Sequence, residues 1–128
     1  MITGVVSAKL DATIQVRLRG RAGKSMRLEA GIDTGFNGSL TLPQALIIQL
    51  ALKWKEKGSA ILGDGSLRTV DLYVGTIDWD RKRRIIAVLQ ADGVPLIGTA
   101  LLAGYEFRSE FRPQGKVTIK KLRPRKRP

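Results

Sequence analysis

Thr13 to Arg19 reads Thr-Ile-Gln-Val-Arg-Leu-Arg, an alternation of apolar and polar side chains that predicts a strand with one wet face. Gly20 to Lys24 supplies turn residues, and Met26 to Ala30 alternates again, so the two segments predict a hairpin. Ile32 to Ser39 is rich in Gly, Asn, Thr and Ser and predicts a loop. Pro43 suits the first turn of a helix, which Gln44 to Leu52 continues as a short apolar segment. An extended stretch from Trp54 to Leu62 follows, then Asp64-Gly65, a two-residue hairpin signal, and a return strand from Leu67 to Trp79. Asp80-Arg81-Lys82 turns the chain into Ile85 to Leu89, a continuous apolar run expected to be buried. A second short helix is predicted from Thr99 to Ala103, ended by Gly104. Tyr105 to Phe111 and Lys116 to Leu122 form a last predicted hairpin around Pro113-Gln114-Gly115. The chain has no internal repeat. Many short strands with two short helices predict a closed or sandwiched β fold.

The length, 128 residues, fits one domain with a modest core, and 43% hydrophobic residues are enough to fold it. No apolar run reaches the roughly 18 residues that span a bilayer. Met1-Ile2-Thr3-Gly4 shows no secretory pattern, so a cytoplasmic protein without membrane association is expected. The net charge is +12, and six positive charges fall in the last nine residues. Half of the excess therefore belongs to the rest of the chain. The expected division is a folded domain over 1–122 and a basic, flexible tail over 123–128.

The chain contains neither histidine nor cysteine. Ser-His-Asp and Cys-His catalysis need an imidazole base and are excluded. Disulfides are excluded too, and a typical zinc site lacks its usual ligands. Proton traffic at any active site falls to carboxylates, lysines or hydroxyls.

One place offers such chemistry. In Ala30-Gly31-Ile32-Asp33-Thr34-Gly35 an apolar strand ends in an aspartate, a hydroxyl residue and a glycine. Taken alone this is also a turn sequence, in which Asp bonds its own backbone. Its surroundings add information. Ser39-Leu40-Thr41-Leu42-Pro43 follows, then the Gly-containing hairpin Ala60 to Ser66, then Pro95-Leu96-Ile97-Gly98 with Leu101-Leu102 just beyond. This ordered set, spanning residues 10 to 122, resembles the retroviral-type (retropepsin-like, clan AA) aspartic proteases, and in particular their bacterial single-domain members.

The resemblance implies an all-β, closed acid-protease-like β-barrel with one or two short helices and one lobe per chain. It implies an aspartic endopeptidase that acts as a homodimer on peptide or protein substrates. No cofactor or metal is implied. Asp33 would be the catalytic carboxylate, Thr34 would bond across the twofold axis, and Gly35 would allow close approach of the backbone. The hairpin Gly58 to Tyr73 would be a flap over substrate. Phe36, Asn37, Leu62, Gly63, Asp64, Gly65 and Ile97 would contact substrate, with Leu96-Ile97-Gly98 packed beneath the catalytic loop.

The chemistry follows from elementary rules. A water must lose a proton while the carbonyl oxygen it attacks gains one. Two carboxylates a few ångströms apart do both, because like charges so close hold one proton between them. This chain has one Asp-Thr-Gly and is too short for two lobes, so a C2 dimer would supply the second carboxylate. Three features depart from the family's pattern. Phe36 stands where a small residue is usual, Asn37-Gly38 replaces small or acidic residues, and Asp64 adds charge at the flap tip.

Two other classes stay open at this point. One is a catalytically silent peptide-binding or dimerisation module of the same fold. The other is a basic β domain that meets nucleic acid through its tail or Arg81-Lys82-Arg83-Arg84. Gly23-Lys24-Ser25 echoes a phosphate-binding loop, but Leu18 stands where that loop needs glycine and a strand follows. Trp54, Tyr73 and Trp79 lie on predicted strands and are expected in the core or at a dimer contact.

Overall fold

The computed structural model describes residues 1–61 and 64–125. The elements, in chain order, are β1 (Ile2–Val6), β2 (Ala12–Arg19), β3 (Ser25–Ile32), β4 (Leu40–Leu42), α1 (Gln44–Gln49), β5 (Lys53–Ile61), β6 (Leu67–Trp79), β7 (Lys82–Gln90), β8 (Leu96–Ile97), α2 (Thr99–Leu102), β9 (Tyr105–Ser109) and β10 (Lys116–Lys121). The architecture is all-β with two short helices. The strands form one sheet in the order β5-β6-β7-β4-β8-β3-β2-β1-β10-β9, and β6 also pairs with β2. That extra pairing joins β2, β3, β8, β4, β7 and β6 into a ring, with β5 on one flank and β1, β10 and β9 on the other.

Alternation along β2 points Ile14, Val16 and Leu18 into the ring and leaves Gln15 and Arg17 outside. Its hairpin partner β3 is in register with Arg17 opposite Arg27 and Gln15 opposite Glu29. β6 and β7 meet at Asp80-Arg81, whose φ angles of 49° and 68° fit a two-residue turn that follows the sheet's twist. Leu40, Leu42, Ile77, Val88, Ile97 and Leu101 fill the interior with Trp79, whose ring meets Tyr105 edge-on at 6.0 Å. Trp79 thereby ties the ring to β9.

Several expectations need correction. Ile2–Val6, for which no element was predicted, is a strand between β2 and β10, and its β10 partners lie far along the chain. The Ile85–Leu89 run is not uniformly buried: Ile86 and Val88 face the core, whereas Ile85 is 79% exposed. The helix after Pro43 stops at Gln49, because Ala51 takes φ 52° and folds Leu50 and Leu52 back into the core. Trp54, expected in the core or at a dimer contact, is half exposed and donates from Nε1 to Asp71 at 3.1 Å, which removes the first of those two places. Pairing of the described residues in the β5–β6 hairpin runs to Ile61–Leu67, and the expected Asp64-Gly65 turn adjoins Leu62 and Gly63, which lie outside the described residues.

Leu122 donates its N–H to the Gly104 carbonyl, and Arg123, Pro124 and Arg125 are exposed and outside any element. The rest of the expected tail, 126–128, lies outside the described residues. Among the described residues no helix is long and apolar enough to cross a membrane.

Candidate active site

The end of β3 runs parallel to β8, pairing Gly31 with Leu96 and Ile32 with Ile97. β8 in turn runs antiparallel to β4. The chain therefore leaves β3 at Asp33, loops out to Ser39, and returns into β4 on the far side of β8. Four backbone bonds close this loop. The Asp33 N–H donates to the Ile97 carbonyl at 2.9 Å, and the Gly98 N–H to Ser39 at 3.0 Å. The Thr99 and Ala100 N–H groups, the orphan donors at the start of α2, reach the Phe36 and Gly38 carbonyls at 2.8 and 3.1 Å. The start of α2 and the Asp33 loop thus satisfy each other.

Gly98 is where this cradle is tightest. A Cβ there would lie 2.6 Å from both the Phe36 carbonyl and its ring, and nearer still to the Gly38 carbonyl. Only glycine fits the crossing.

Within the loop, Asp33 is half-buried, and Thr34 and Gly35 are exposed. Asp33 Oδ1 accepts the Gly35 N–H at 2.9 Å, and the Asp33 carbonyl accepts the Phe36 N–H at 3.1 Å. The turn reading of the motif is therefore correct as local structure, and it leaves the carboxylate accessible. Among the described residues no other hydrogen bond reaches that carboxyl group, and Thr34 Oγ1 makes none.

The hairpin β5–β6 faces this loop. β6 pairs with β7 only from Leu72 onward, so among the described residues the part beyond it is a two-stranded ribbon to which no third strand is paired. Ser59 and Ile61 of that ribbon, with Leu89, line a cavity of about 470 Å³ with Gly35, Phe36, Asn37 and Gly38. Ser59 and Ile61 were not anticipated as site residues, although their spacing of two puts them on one face of a strand and was readable. A second cavity, of about 540 Å³, lies against Gly31, Ile32 and Leu96, with Val94, Lys9 and Glu29 also on its walls.

The other expected substrate contacts divide. Phe36 packs its ring under Gly38 and Gly98, and Asn37 is exposed on the cavity wall. Ile97 is fully buried, so its side chain belongs to the core and its carbonyl positions Asp33. Asp64 and Gly65 sit in the hairpin connection. Ser66 donates to Asp64 Oδ1 from its hydroxyl at 2.6 Å and its N–H at 2.9 Å, which holds that carboxyl below the usual range. Leu62 and Gly63 lie outside the described residues.

No protein-family model matches the chain, and no curated protein matches it either.

Proposed function

We propose that this chain is one lobe of a homodimeric aspartic endopeptidase, with its ring of strands serving as a closed acid-protease-like β-barrel. The observation that carries the reading is the mounting of Asp33. Its carboxylate is accessible on a loop clamped through Ile97, Gly98, Thr99 and Ala100, beside a cleft that an unsupported hairpin overhangs. A rigid base and a mobile cover are what a hydrolytic site on an extended peptide requires.

In this reading two copies of the loop meet across a twofold axis, with Thr34 of each bonding the other. One Asp33 carboxylate takes a proton from a bound water as its oxygen attacks the scissile carbonyl carbon. The other, protonated, gives its proton to the carbonyl oxygen. Collapse of the tetrahedral species breaks the C–N bond as the leaving nitrogen gains a proton. The absence of histidine and cysteine from the chain fits a mechanism that uses carboxylates alone. The hairpin Gly58 to Tyr73 closes over the peptide, with Ser59 and Ile61 against it.

The test is hydrolysis of casein and of a random peptide library from acidic to neutral pH. The Asp33→Asn variant keeps its secondary structure and oligomeric state and loses cleavage altogether. Full activity in that variant removes the proposal. A confirmed dimer in which the natural chain cleaves nothing assigns it instead to the silent peptide-binding class.

A further inference from the structure

We infer that the outer face of β3, β2, β6 and β7 docks an acidic polypeptide segment that also carries apolar side chains. The registers of these four strands align Arg27, Arg17, Asp78 and Arg83 in one row across the face. Arg19 of the next row binds Asp78 through two bonds of 2.9 Å, and Arg83 stands 4.0 Å from the same carboxylate. Three arginines, Arg19, Arg83 and Arg17, therefore act on one acid, and Arg27 lies one strand further along the row. The nearest further acid on β3, Glu29, stands two residues along, opposite Gln15. Arg17 and Arg27 are directly opposite each other, and like charges in that position weaken a sheet. Asp78 offsets Arg17 from the other side, but among the described residues no acid forms an ion pair with Arg27, and that charge points to a counter-charge brought from outside.

The face also has shape. Two adjoining cavities, of about 480 and 410 Å³, share Arg19, Thr76 and Ile85. Lys24 and Arg83 edge the first, Arg21 and Lys53 the second. Ile85 is 79% exposed between them, and Val74 lies in the second. Guanidinium forks suit carboxylates and phosphates equally. The apolar floor decides between them. Single-stranded polynucleotides are held by cationic grooves with aromatic stacking platforms, and among the described residues neither cavity wall carries an aromatic ring. A segment that mixes carboxylates with Leu- or Ile-like side chains matches both the charged walls and Ile85. A second copy of this chain, also at +12, is repelled from the face.

Arg27 is six residues from Asp33 along β3, roughly 20 Å at the rise of a strand. The inference is therefore independent of the chemistry at Asp33. The full chain carrying Asp33→Asn, which leaves any peptide intact, is titrated with three labelled anions of equal charge: a short peptide of glutamates interspersed with leucines, an all-glutamate peptide, and a single-stranded oligonucleotide. The mixed peptide binds about tenfold more tightly than the other two, and its affinity falls with added salt. Ile85→Ser weakens the mixed peptide about tenfold and leaves the all-glutamate peptide unchanged. Arg27→Glu weakens both peptides while the urea midpoint does not fall, because the new glutamate faces Arg17. Equal binding of all three anions, tighter binding of the oligonucleotide, or insensitivity to both Ile85→Ser and Arg27→Glu overturns the inference.

Discussion

Gly98→Ala is the most informative single change, because it inserts one methyl group where the two halves of the candidate site touch. The new Cβ would stand 2.6 Å from the Phe36 carbonyl oxygen and Cδ2, and closer to the Gly38 carbonyl. Ordinary contact needs those groups to retreat by close to an ångström. Both carbonyls are held by α2, through Thr99 at 2.8 Å and Ala100 at 3.1 Å, so retreat breaks or stretches those bonds. Overpacking of this kind costs about 1–3 kcal/mol. Two weakened backbone bonds add about 0.5–1.5 kcal/mol each. The total of roughly 2–6 kcal/mol is a large share of the 5–15 kcal/mol typical of a domain, so the variant folds but melts about 6–24 °C lower. Gly93→Ala is the control. Its Cβ meets nothing within 4 Å, and only its φ of +97° is unfavourable, for about 1–2 kcal/mol. Urea unfolding of the two variants, with peptide cleavage measured well below both transitions, separates global loss from local displacement. Gly98→Ala should lose cleavage beyond its loss of stability, whereas Gly93→Ala should keep it. Equal stability for the two variants, or full cleavage by Gly98→Ala, refutes the argument that this crossing holds Asp33 in place.

Leu101→Ala, at a fully buried side chain on α2, should cost about 2–5 kcal/mol in urea unfolding, while Ile48→Ala on the exposed side of α1 should be nearly silent. Asp78 sits below the usual carboxylate range, chiefly because Arg19 hydrogen-bonds it, and Arg83 and Arg17 add to the effect. Its contribution to stability is thus fully present above about pH 3.9, the value in an unfolded chain, and is lost as pH falls through the lower folded value. Asp78→Asn should lower the urea midpoint at pH 6 and make the fall toward pH 2 shallower. Asp80, held down first by the Met1 ammonium at 2.8 Å, titrates in the same direction, so a residual slope remains. If each chain lends one carboxylate, specific cleavage activity should drop on dilution in step with the dimer fraction measured by sedimentation. A rate per chain that stays constant while the protein becomes monomeric contradicts the proposed mechanism.

The contrast between sequence and structure is sharpest where partners are distant. Alternation in Thr13–Arg19 and Met26–Ala30 located the β2–β3 hairpin, and the limits of β6, Leu67–Trp79, were read without error. Asp33-Thr34-Gly35 was legible as an Asp-led turn at a strand end, because an Asx bond and an apolar strand are both short-range properties. The clamp on that turn was only half legible. Packing of Leu96-Ile97-Gly98 beneath the loop was expected, yet Ile97 acts through its carbonyl and not through its side chain.

Local periodicity thus determined which segments extend, which turn, and where the aspartate of the Asp-Thr-Gly turn stands at a strand end. Tertiary structure alone decided the strand Ile2–Val6, the ring closed by β2 against β6, the outward aim of Ile85, and the gathering of Arg17, Arg19 and Arg83 around Asp78. The reason is physical. Side-chain period is set by a few neighbouring dihedrals, whereas pairing between Arg17 and Asp78 depends on every turn between them.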